Sequence, residues 1–412
     1  MGTESSAVTM VGAHDSRGVR TAGMRVLFIA PYPPQRDGIG AYSSRLAAAL
    51  QRDGHEIGII TPRPLHRAER SDGQNATAPT VIGDLGAHRR QPKYLSRVIS
   101  DWSPKVIHVQ FGVAAFGGRL PALLRLLERA PSPVVLTAHE VTRDLDRTGP
   151  IGRFLYGHLA SKASLTIVHT QGAASAIRSL GGEVRVKVLP FPALPAPRQV
   201  TSPDELRHRF GIEGRDVLLA FGFVHPHKGL DDLVAAFSKA RTGSTARQGG
   251  TPSGEAAGLQ KFVLVVAGEV RRRSGPFRLM ELPDHLHLRS LRSAVRKGGL
   301  EANTVFTGYV PDDDVAAWFA LARAVVLPYR HIEQSGVLGL ARALGAPLIV
   351  SDAGGFGERI GGGWRYRAGD REALSQLLER LEIEQPDVLS ASGFDLTAFA
   401  RETSASYLEI AQ

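Results

Sequence analysis

The stretch 325–355, VVLPYRHIEQSGVLGLARALGAPLIVSDAGG, carries a carboxylate just before residues that open a helix. An apolar run ending at Pro328 predicts a buried parallel strand, and apolar residues at helical spacing up to Gly345 predict the helix. The amides that open this helix are those of Ser335, Gly336, Val337 and Leu338. Such amides bind anions because they are unpaired at the positive end of the helix dipole. With Glu333 accepting hydrogen bonds from hydroxyl groups, the loop could hold a phosphate beside a hydroxyl-bearing group.

A second candidate loop carries a cation. Residues 216–229, DVLLAFGFVHPHKG, read as a buried strand followed by a loop with Gly222 at its start and Lys228 near its end. A fixed cation could stabilise negative charge that develops on a leaving group. His225 and His227 are close enough in sequence to contribute, although a histidine in an exposed loop is usually solvated.

The first predicted strand, Arg25 to Ala30, also ends in a glycine loop that leads into a helix. Within 31–50, PYPPQRDGIGAYSSRLAAAL, the prolines stop the strand and Gly38 and Gly40 permit tight turns. A glycine loop before a helix is a possible anion site, but such turns also occur only to pack a helix on a strand. Both interpretations stay open on the residues alone.

Three histidines, His108, His139 and His169, follow or end predicted strands. Many histidines at strand ends are buried structural residues. His139 differs because its strand has just ended and Glu140 follows in a turn.

The acidic residues Asp312 to Asp314 could bind a divalent cation through their carboxylates. However, acidic residues after a proline and before an apolar helix are typical of a helix start. We therefore predict no metal site.

Strand and helix patterns alternate along the chain, which favours an α/β protein with parallel, doubly wound sheets. Further strands are predicted at Glu56 to Thr61, Lys105 to Phe111, Pro133 to Ala138, Leu165 to His169, Val184 to Leu189, Phe262 to Ala267 and Pro347 to Val350. In such sheets ligands bind beyond the carboxyl ends of the strands. The proline-rich stretch 191–206 predicts a linker between two domains, and the glycine-rich stretch 241–260 predicts a flexible insertion.

In the order and spacing of these elements the chain resembles a retaining GT-B glycosyltransferase of the family-four type, which has an E-x(7)-E element in the 333–340 region. The resemblance covers roughly 25–411. It implies two Rossmann-like domains that face each other across a cleft. The expected division is a disordered extension (1–23), an acceptor-side domain (24–195), a nucleotide-sugar domain (196–393), and a last helix (394–412) that packs back on the first domain.

The resemblance also implies roles for these residues. Glu333 and His139 would contact the donor sugar, and Lys228 with the amides of 335–338 would hold the diphosphate. The glycine loop with Gly38 and Gly40 would lie over the donor phosphates, with Gly222 beside them. Gly308, Tyr309 and Val310 would lie next to the nucleotide base.

Two positions depart from the family pattern. Phe223 stands where a second diphosphate-binding arginine is usual, and Leu340 stands where a glutamate usually binds the ribose. The expected activity is transfer of a hexosyl group from a nucleoside diphosphate sugar to a hydroxyl group of a saccharide, lipid-linked or small-molecule acceptor, without a metal or other cofactor. A sugar-nucleotide epimerase or hydrolase, and a catalytically silent sugar-nucleotide-binding protein, remain as alternatives.

The composition limits the other classes of function. A chain of 412 residues with 43% hydrophobic and 22% charged residues is globular, and it has no cysteine for disulfides or thiol chemistry. The net charge of +10 favours anionic ligands. The basic stretch 271–297 has one aromatic residue, so we interpret it as a solvated basic face and do not expect nucleic acid as a partner. The amphipathic stretch 92–102, preceded by Arg89 and Arg90, suggests weak peripheral membrane contact at most. We expect a cytoplasmic location, either free or peripheral at the inner membrane surface.

Overall fold

A computed structural model of the chain has two α/β domains, each built on one parallel sheet. Its described residues are 23–35, 37–63, 79–86, 93–192, 195–247, 258–271, 281–332, 335–354, 363–388 and 395–411. The predicted class, two Rossmann-like domains with doubly wound sheets, is confirmed.

The first sheet has seven strands in the order β3-β2-β1-β4-β5-β6-β7, all paired in parallel. Its strands are β1 (Arg25–Ile29), β2 (Glu56–Thr61), β3 (Thr80–Asp84), β4 (Val106–Phe111), β5 (Val134–Ala138), β6 (Leu165–Val168) and β7 (Val186–Val188). The helices are α1 (Gly38–Arg52), α2 (Tyr94–Trp102), α3 (Val113–Phe116), α4 (Leu120–Glu128), α5 (Val141–Thr148), α6 (Pro150–Lys162) and α7 (Gln171–Arg178).

The second sheet has six parallel strands in the order β10-β9-β8-β11-β12-β13. They are β8 (Asp216–Phe221), β9 (Phe262–Ala267), β10 (Thr304–Gly308), β11 (Ala322–Leu327), β12 (Leu348–Ser351) and β13 (Trp364–Tyr366). The helices that follow α7 are α8 (Pro203–Phe210), α9 (Leu230–Arg247), α10 (Leu282–Lys297), α11 (Asp312–Leu321), α12 (Gly336–Ala343), α13 (Arg371–Arg380) and α14 (Leu396–Ile410).

Each sheet is buried on both faces, which explains why its central strands are continuous apolar runs. In β1, Val26 and Phe28 belong to one hydrophobic cluster, whereas Leu27 and Ile29 belong to the cluster on the opposite face. This alternation follows from the period of two in a strand. The last helix, α14, contributes Phe399 to the first of these clusters, so it packs on the first domain.

Two local expectations need correction. Gly38 and Gly40 are not in a loop: they lie in the first turn of α1, which Asp37 caps by accepting hydrogen bonds from the amides of Ile39 and Gly40. The expected insertion at 241–260 is wrong up to Arg247, where α9 ends, and 248–257 lie outside the described residues.

The amphipathic helix near the first domain's surface is α2. Leu95 and Ile99 are buried in the core against the sheet, with Val98 and Trp102 partly buried beside them. Arg89 and Arg90 lie outside the described residues. In the part of the chain that is described, no helix has the length and apolar character needed to cross a bilayer.

Candidate active site

The strand order of the second domain brings the predicted donor residues together at the carboxyl ends of its parallel strands. Four neighbouring strands, β10, β9, β8 and β11, have their carboxyl ends here. Gly308 is the last residue of β10, and the loops that follow β9, β8 and β11 contain Gly268, Gly222 and Ser335 respectively. Parallel strands always present their carboxyl ends together, so residues that are far apart in sequence become neighbours here.

Lys228 and Gly222 are in direct proximity. A Cβ atom on Gly222 would lie 2.7 Å from Lys228 Nζ and 3.4 Å from Val337 Cγ2, and the φ of Gly222 is +97°. The ammonium group donates to the carbonyl oxygen of Phe221 at 3.3 Å and lies 5.3 Å from the centre of the Tyr329 ring. The glycine at this position therefore leaves room for the cation at the start of the loop.

The loop itself is held by close backbone packing. Lys228 ends a short 3-10 turn, Pro226–Lys228, and the following Gly229 has a φ of +60°. A Cβ atom on Gly229 would lie 1.9 Å from the carbonyl oxygen of Pro328. The cationic loop is thus fixed against the end of β11, close to the loop that leads into α12.

The start of α12 differs in one respect from the sequence expectation. Ser335 is its N-cap, and its hydroxyl oxygen accepts a hydrogen bond of 3.1 Å from the amide of Leu338. The Leu338 amide therefore already donates to the cap, and its contact with phosphate stays a prediction. The amides of Gly336 and Val337 are the ones that precede it in the first turn. Glu333 lies outside the described residues.

Gly308 ends the edge strand β10, and Tyr309 and Val310 follow it. Gly308 has a φ of +69° and forms an antiparallel bridge with Gly268, and the Tyr309 side chain is 40% exposed while Val310 is buried. A Cβ atom on Gly268 would lie 2.1 Å from the carbonyl oxygen of Gly222. The ends of β10, β9 and β8 are therefore packed backbone to backbone, and an exposed aromatic ring lies at one end of this row.

Arg271 belongs to this edge as well, although the sequence assigned it to a solvated basic face. Its guanidinium lies 5.9 Å from the centre of the Phe223 ring and forms an ion pair with Asp37 of the first domain. Only 19% of its side chain is exposed. The solvated interpretation is wrong for this residue.

His225 and His227 are not solvated either. Their rings stack with centres 4.8 Å apart, and His225 Nε2 lies 3.2 Å from Arg147 of the first domain and 3.5 Å from the buried Asp284 carboxylate. Burial, together with the charges of Arg147 and other neighbours, lowers the pKa of His227. His227 is therefore neutral at physiological pH and adds no charge to the cationic loop.

In the first domain, His139 is 1% exposed at the carboxyl end of β5 and contacts the rings of Tyr42 and His169. Its Nε2 donates to Gln110 Oε1 at 2.8 Å, and Gln110 Nε2 lies 3.1 Å from Nε2 of His108. Burial, followed by the two neighbouring histidines, lowers the pKa of His139 well below its usual value. His139 is a neutral hydrogen-bonding group, whose proton on Nε2 is directed toward Gln110.

The other two histidines have structural partners. His108 is fully buried between Thr137 Oγ1, 2.7 Å from its Nε2, and the Tyr407 hydroxyl of α14. Burial lowers the pKa of His108 to about 3. Through its Nδ1, His169 contacts the carbonyl oxygen of Leu189 at 2.9 Å. His169 follows β6 and fits the interpretation of strand-end histidines as buried structural residues. His108 is also a buried structural residue, but it lies within β4 rather than at its end.

A charged cluster that was not predicted from the sequence lies at the start of α5. Glu140 pairs with Arg143, and Arg143 also contacts Asp144 at 3.1 Å. Asp144 accepts hydrogen bonds from the Val113 amide at 3.1 Å and from the Tyr156 hydroxyl at 2.9 Å. Burial is the main cause that raises the pKa of Glu140, against the opposing charge of Arg143. The spacing of Glu140 and Arg143, one helical turn apart, was the available signal.

The aspartates at 312–314 begin α11, in agreement with a helix start. The cap itself is Pro311, and no aspartate side chain caps the helix. Instead, Asp314 is buried and accepts from Thr201 Oγ1 at 2.6 Å and from Arg209 at 2.7 Å. Among the residues that the structure describes, no group of three or more histidine or acidic side chains is arranged to hold a metal ion.

Comparison with known families identifies the two domains. The sequence profile described as Glycosyltransferase Family 4 matches residues 36–192, and the profile described as Glycosyl transferases group 1 matches residues 215–382. Together the two profiles cover most of both sheets. The chain belongs to the family-4 glycosyltransferases.

Curated relatives of this glycosyltransferase act on different compounds. It is 23% identical over 349 residues to the GDP-mannose-dependent alpha-(1-6)-phosphatidylinositol monomannoside mannosyltransferase of Mycolicibacterium smegmatis, with 80% of each chain covered. It is 24% identical to the alpha-D-kanosaminyltransferase of Streptomyces kanamyceticus, with 67% of this chain and 68% of that protein covered.

Solved structures agree on the fold. Anabaena HepE in complex with UDP and glucose aligns with a TM-score of 0.63 at 16% identity, covering 94% of the glycosyltransferase and 97% of HepE. Sucrose-phosphate synthase from Thermosynechococcus elongatus aligns with a TM-score of 0.62 at 16% identity, covering 94% and 96% of the two chains. These likenesses establish the GT-B fold.

Proposed function

We propose that this glycosyltransferase moves a hexosyl group from a nucleoside diphosphate sugar to a hydroxyl group of an acceptor, with retention of the anomeric configuration. The observation that carries the proposal is the proximity of Lys228, Gly222 and Val337 at the carboxyl edge of the second sheet. A cation and the first amides of α12 converge there, and both favour a phosphate group. The M. smegmatis relative is GDP-mannose-dependent by name, and HepE was crystallised with UDP, which supports a nucleotide donor.

In the proposed reaction, the bond between the anomeric carbon and the diphosphate oxygen breaks, and the acceptor oxygen bonds to that carbon on the same face. The acceptor proton passes to an oxygen of the departing phosphate, so no carboxylate nucleophile is needed. Lys228 and the amides of Gly336 and Val337 stabilise the charge that develops on the diphosphate. The exposed ring of Tyr309, with Gly308 and Val310, would lie beside the base.

Glu333 and His139 are the proposed contacts of the donor sugar. His139 can act only as a neutral group, because its pKa is lowered. Its Nε2 donates to Gln110 Oε1 at 2.8 Å. Because the side chain is buried, contact requires a local shift when the donor binds.

We propose that the reaction needs no divalent metal. Lys228 and the start of α12 supply positive charge to the diphosphate, and Asp314 is already engaged by Thr201 and Arg209. We also propose a cytoplasmic enzyme with at most weak contact to a membrane surface, because Leu95 and Ile99 of α2 are used to cover the sheet. The acceptor is a saccharide, a lipid-linked compound or a small molecule.

The test is a panel of UDP-, GDP-, ADP- and TDP-sugars, incubated with the enzyme without acceptor and then with candidate acceptors. Release of the nucleoside diphosphate is measured, and NMR gives the anomeric configuration of the product. We expect one donor class to react and the product to keep the donor's configuration. An inverted product would contradict retention, and an epimer or free sugar alone in the presence of acceptors would favour the epimerase or hydrolase.

A silent sugar-nucleotide-binding protein is the second candidate. It is favoured by Phe223 and Leu340, which replace an arginine and a glutamate of the family pattern. Leu340 packs partly buried against the core of the second domain, and a leucine side chain cannot form a hydrogen bond to a ribose. Nucleotide binding without turnover for any donor and acceptor would establish this candidate.

A further inference from the structure

The loop after β8 has a neutral residue where a second cation is expected, and a cation from another loop lies against it. Arg271 follows β9, the strand paired with β8, and its guanidinium lies 5.9 Å from the centre of the Phe223 ring. The two loops are joined by a 2.9 Å hydrogen bond from the Val224 amide to the Glu269 carbonyl oxygen. Lys228 and Arg271 therefore flank the same segment, Gly222 and Phe223, from two strand ends.

Arg271 has a partner that can be exchanged. It pairs with Oδ2 of Asp37, and both side chains are largely shielded from solvent. The other oxygen, Oδ1, accepts the amides of Ile39 at 2.8 Å and Gly40 at 3.3 Å. The cap of α1 thus uses one carboxylate oxygen and does not depend on the arginine. Arg271 can leave Asp37 without removing the cap.

A diphosphate is a stronger partner for this guanidinium than Asp37. It carries more negative charge than one carboxylate, and its oxygens match the planar fork of arginine donors. The aromatic face of Phe223 keeps the guanidinium at the edge of the sheet in either arrangement. Phe223 itself carries no charge, but the guanidinium of Arg271, which follows the neighbouring strand β9, lies next to it.

We propose that Arg271 is the second cation for the donor diphosphate, and that it exchanges Asp37 for the diphosphate when the donor binds. The inference rests on the proposed function, because it assumes a nucleoside diphosphate at the edge that contains Lys228. It assigns a binding role to a residue outside the family motif. It also means that Asp37 of the first domain and the donor diphosphate compete for Arg271.

The experiment measures binding by calorimetry, with the best-bound of UDP, GDP, ADP and TDP and with its nucleoside as the matched ligand. For Arg271→Met we expect a loss of roughly tenfold to a hundredfold in affinity for the diphosphate, the range of a hydrogen bond to a charged group. Affinity for the nucleoside should change less than about twofold, since that ligand lacks the phosphates. Asp37→Asn, which keeps a capping side chain, should leave diphosphate affinity unchanged or raise it.

A relocated cation provides the rescue. The double variant Phe223→Arg with Arg271→Met should recover most of the lost diphosphate affinity, and thermal unfolding of each variant checks that it is folded. Equal losses for diphosphate and nucleoside in both Arg271→Met and Asp37→Asn would show that the ion pair only joins the domains, and would overturn the proposal. An unchanged diphosphate affinity in Arg271→Met, with a wild-type protein that binds the diphosphate more tightly than the nucleoside, would overturn the role of Arg271 alone. A wild-type protein that binds none of the four nucleotides would overturn the proposed function as well.

Discussion

Replacing Lys228 by alanine is the most informative single perturbation of the proposed mechanism. The ammonium group lies 2.7 Å from the position of a Cβ atom on Gly222, next to Val337 at the start of α12. In the protein it donates to the Phe221 carbonyl oxygen at 3.3 Å. This one long hydrogen bond contributes little to folding, so Lys228→Ala should remain folded.

The expected effect is on the chemical step. Negative charge grows on the diphosphate as the glycosidic bond breaks, and a fixed cation gains interaction energy with it. Removing one preorganised donor of this kind costs about 2.7–4 kcal/mol, or roughly a hundredfold to a thousandfold in kcat. The donor KM should change less, because the amides of Gly336 and Val337 still bind the ground-state diphosphate.

The assay is steady-state kinetics with the best donor, with Lys239→Ala as the matched control. Lys239 is exposed and pairs with Glu372 on the surface, so its removal should leave kcat unchanged. His227 should not compensate for Lys228 at pH 6.5, because its pKa is lowered. If folded Lys228→Ala kept more than about a third of the wild-type kcat, a loss under ~0.7 kcal/mol, the location of the diphosphate would be refuted.

Four further predictions concern the metal, the membrane, pH and the first domain. Neither EDTA nor the substitution Asp312→Asn should change the activity. An activity that is lost in EDTA and restored by magnesium would contradict this prediction. Binding to acidic liposomes, measured by cosedimentation, should disappear at high salt, since the apolar face of α2 packs on the sheet. The free energy of unfolding should fall as pH drops below 6.5, because His108 is neutral in the folded protein, with a pKa of about 3, and charged in the unfolded chain. This residue contributes a slope of at most about 1.4 kcal/mol per pH unit. Denaturant unfolding of His108→Gln at several pH values should therefore show a shallower dependence on pH. Gln110→Leu should lower kcat more than it changes the donor KM, because Gln110 accepts the hydrogen bond from His139 Nε2. Nitrogen NMR should then show a changed proton position on the His139 ring. An unaltered His139 spectrum with a lowered kcat would contradict the role of Gln110 in orienting His139.

The central strands of both sheets were predictable because burial on both faces makes them continuous apolar runs. Phe262–Ala267 is an example, since it matches β9 residue for residue. The edge strands β3, β10 and β13 were missed. They have five, five and three residues, and none of them has more than one buried position, so no apolar run marks them.

The candidate site was also predictable only in part. The loops with Lys228 and Ser335 were predictable from the topology, because ligands bind where parallel strands end. The ion pair of Arg271 and Asp37 was not, since these residues are 234 positions apart and belong to different domains. Similarly, the contact between Leu338 and the Ser335 hydroxyl depends on side-chain orientation, which the sequence leaves open.

Hydrogen exchange measured by mass spectrometry, with and without a saturating nucleoside diphosphate, tests the location of the diphosphate most directly. The amides at the start of α12 and in the loop 222–229 should become protected. The corresponding nucleoside should protect the region of Gly308 to Val310 but not these two segments. Protection by the diphosphate confined to the first domain, with no change at 222–229 or at the start of α12, would contradict the proposed site.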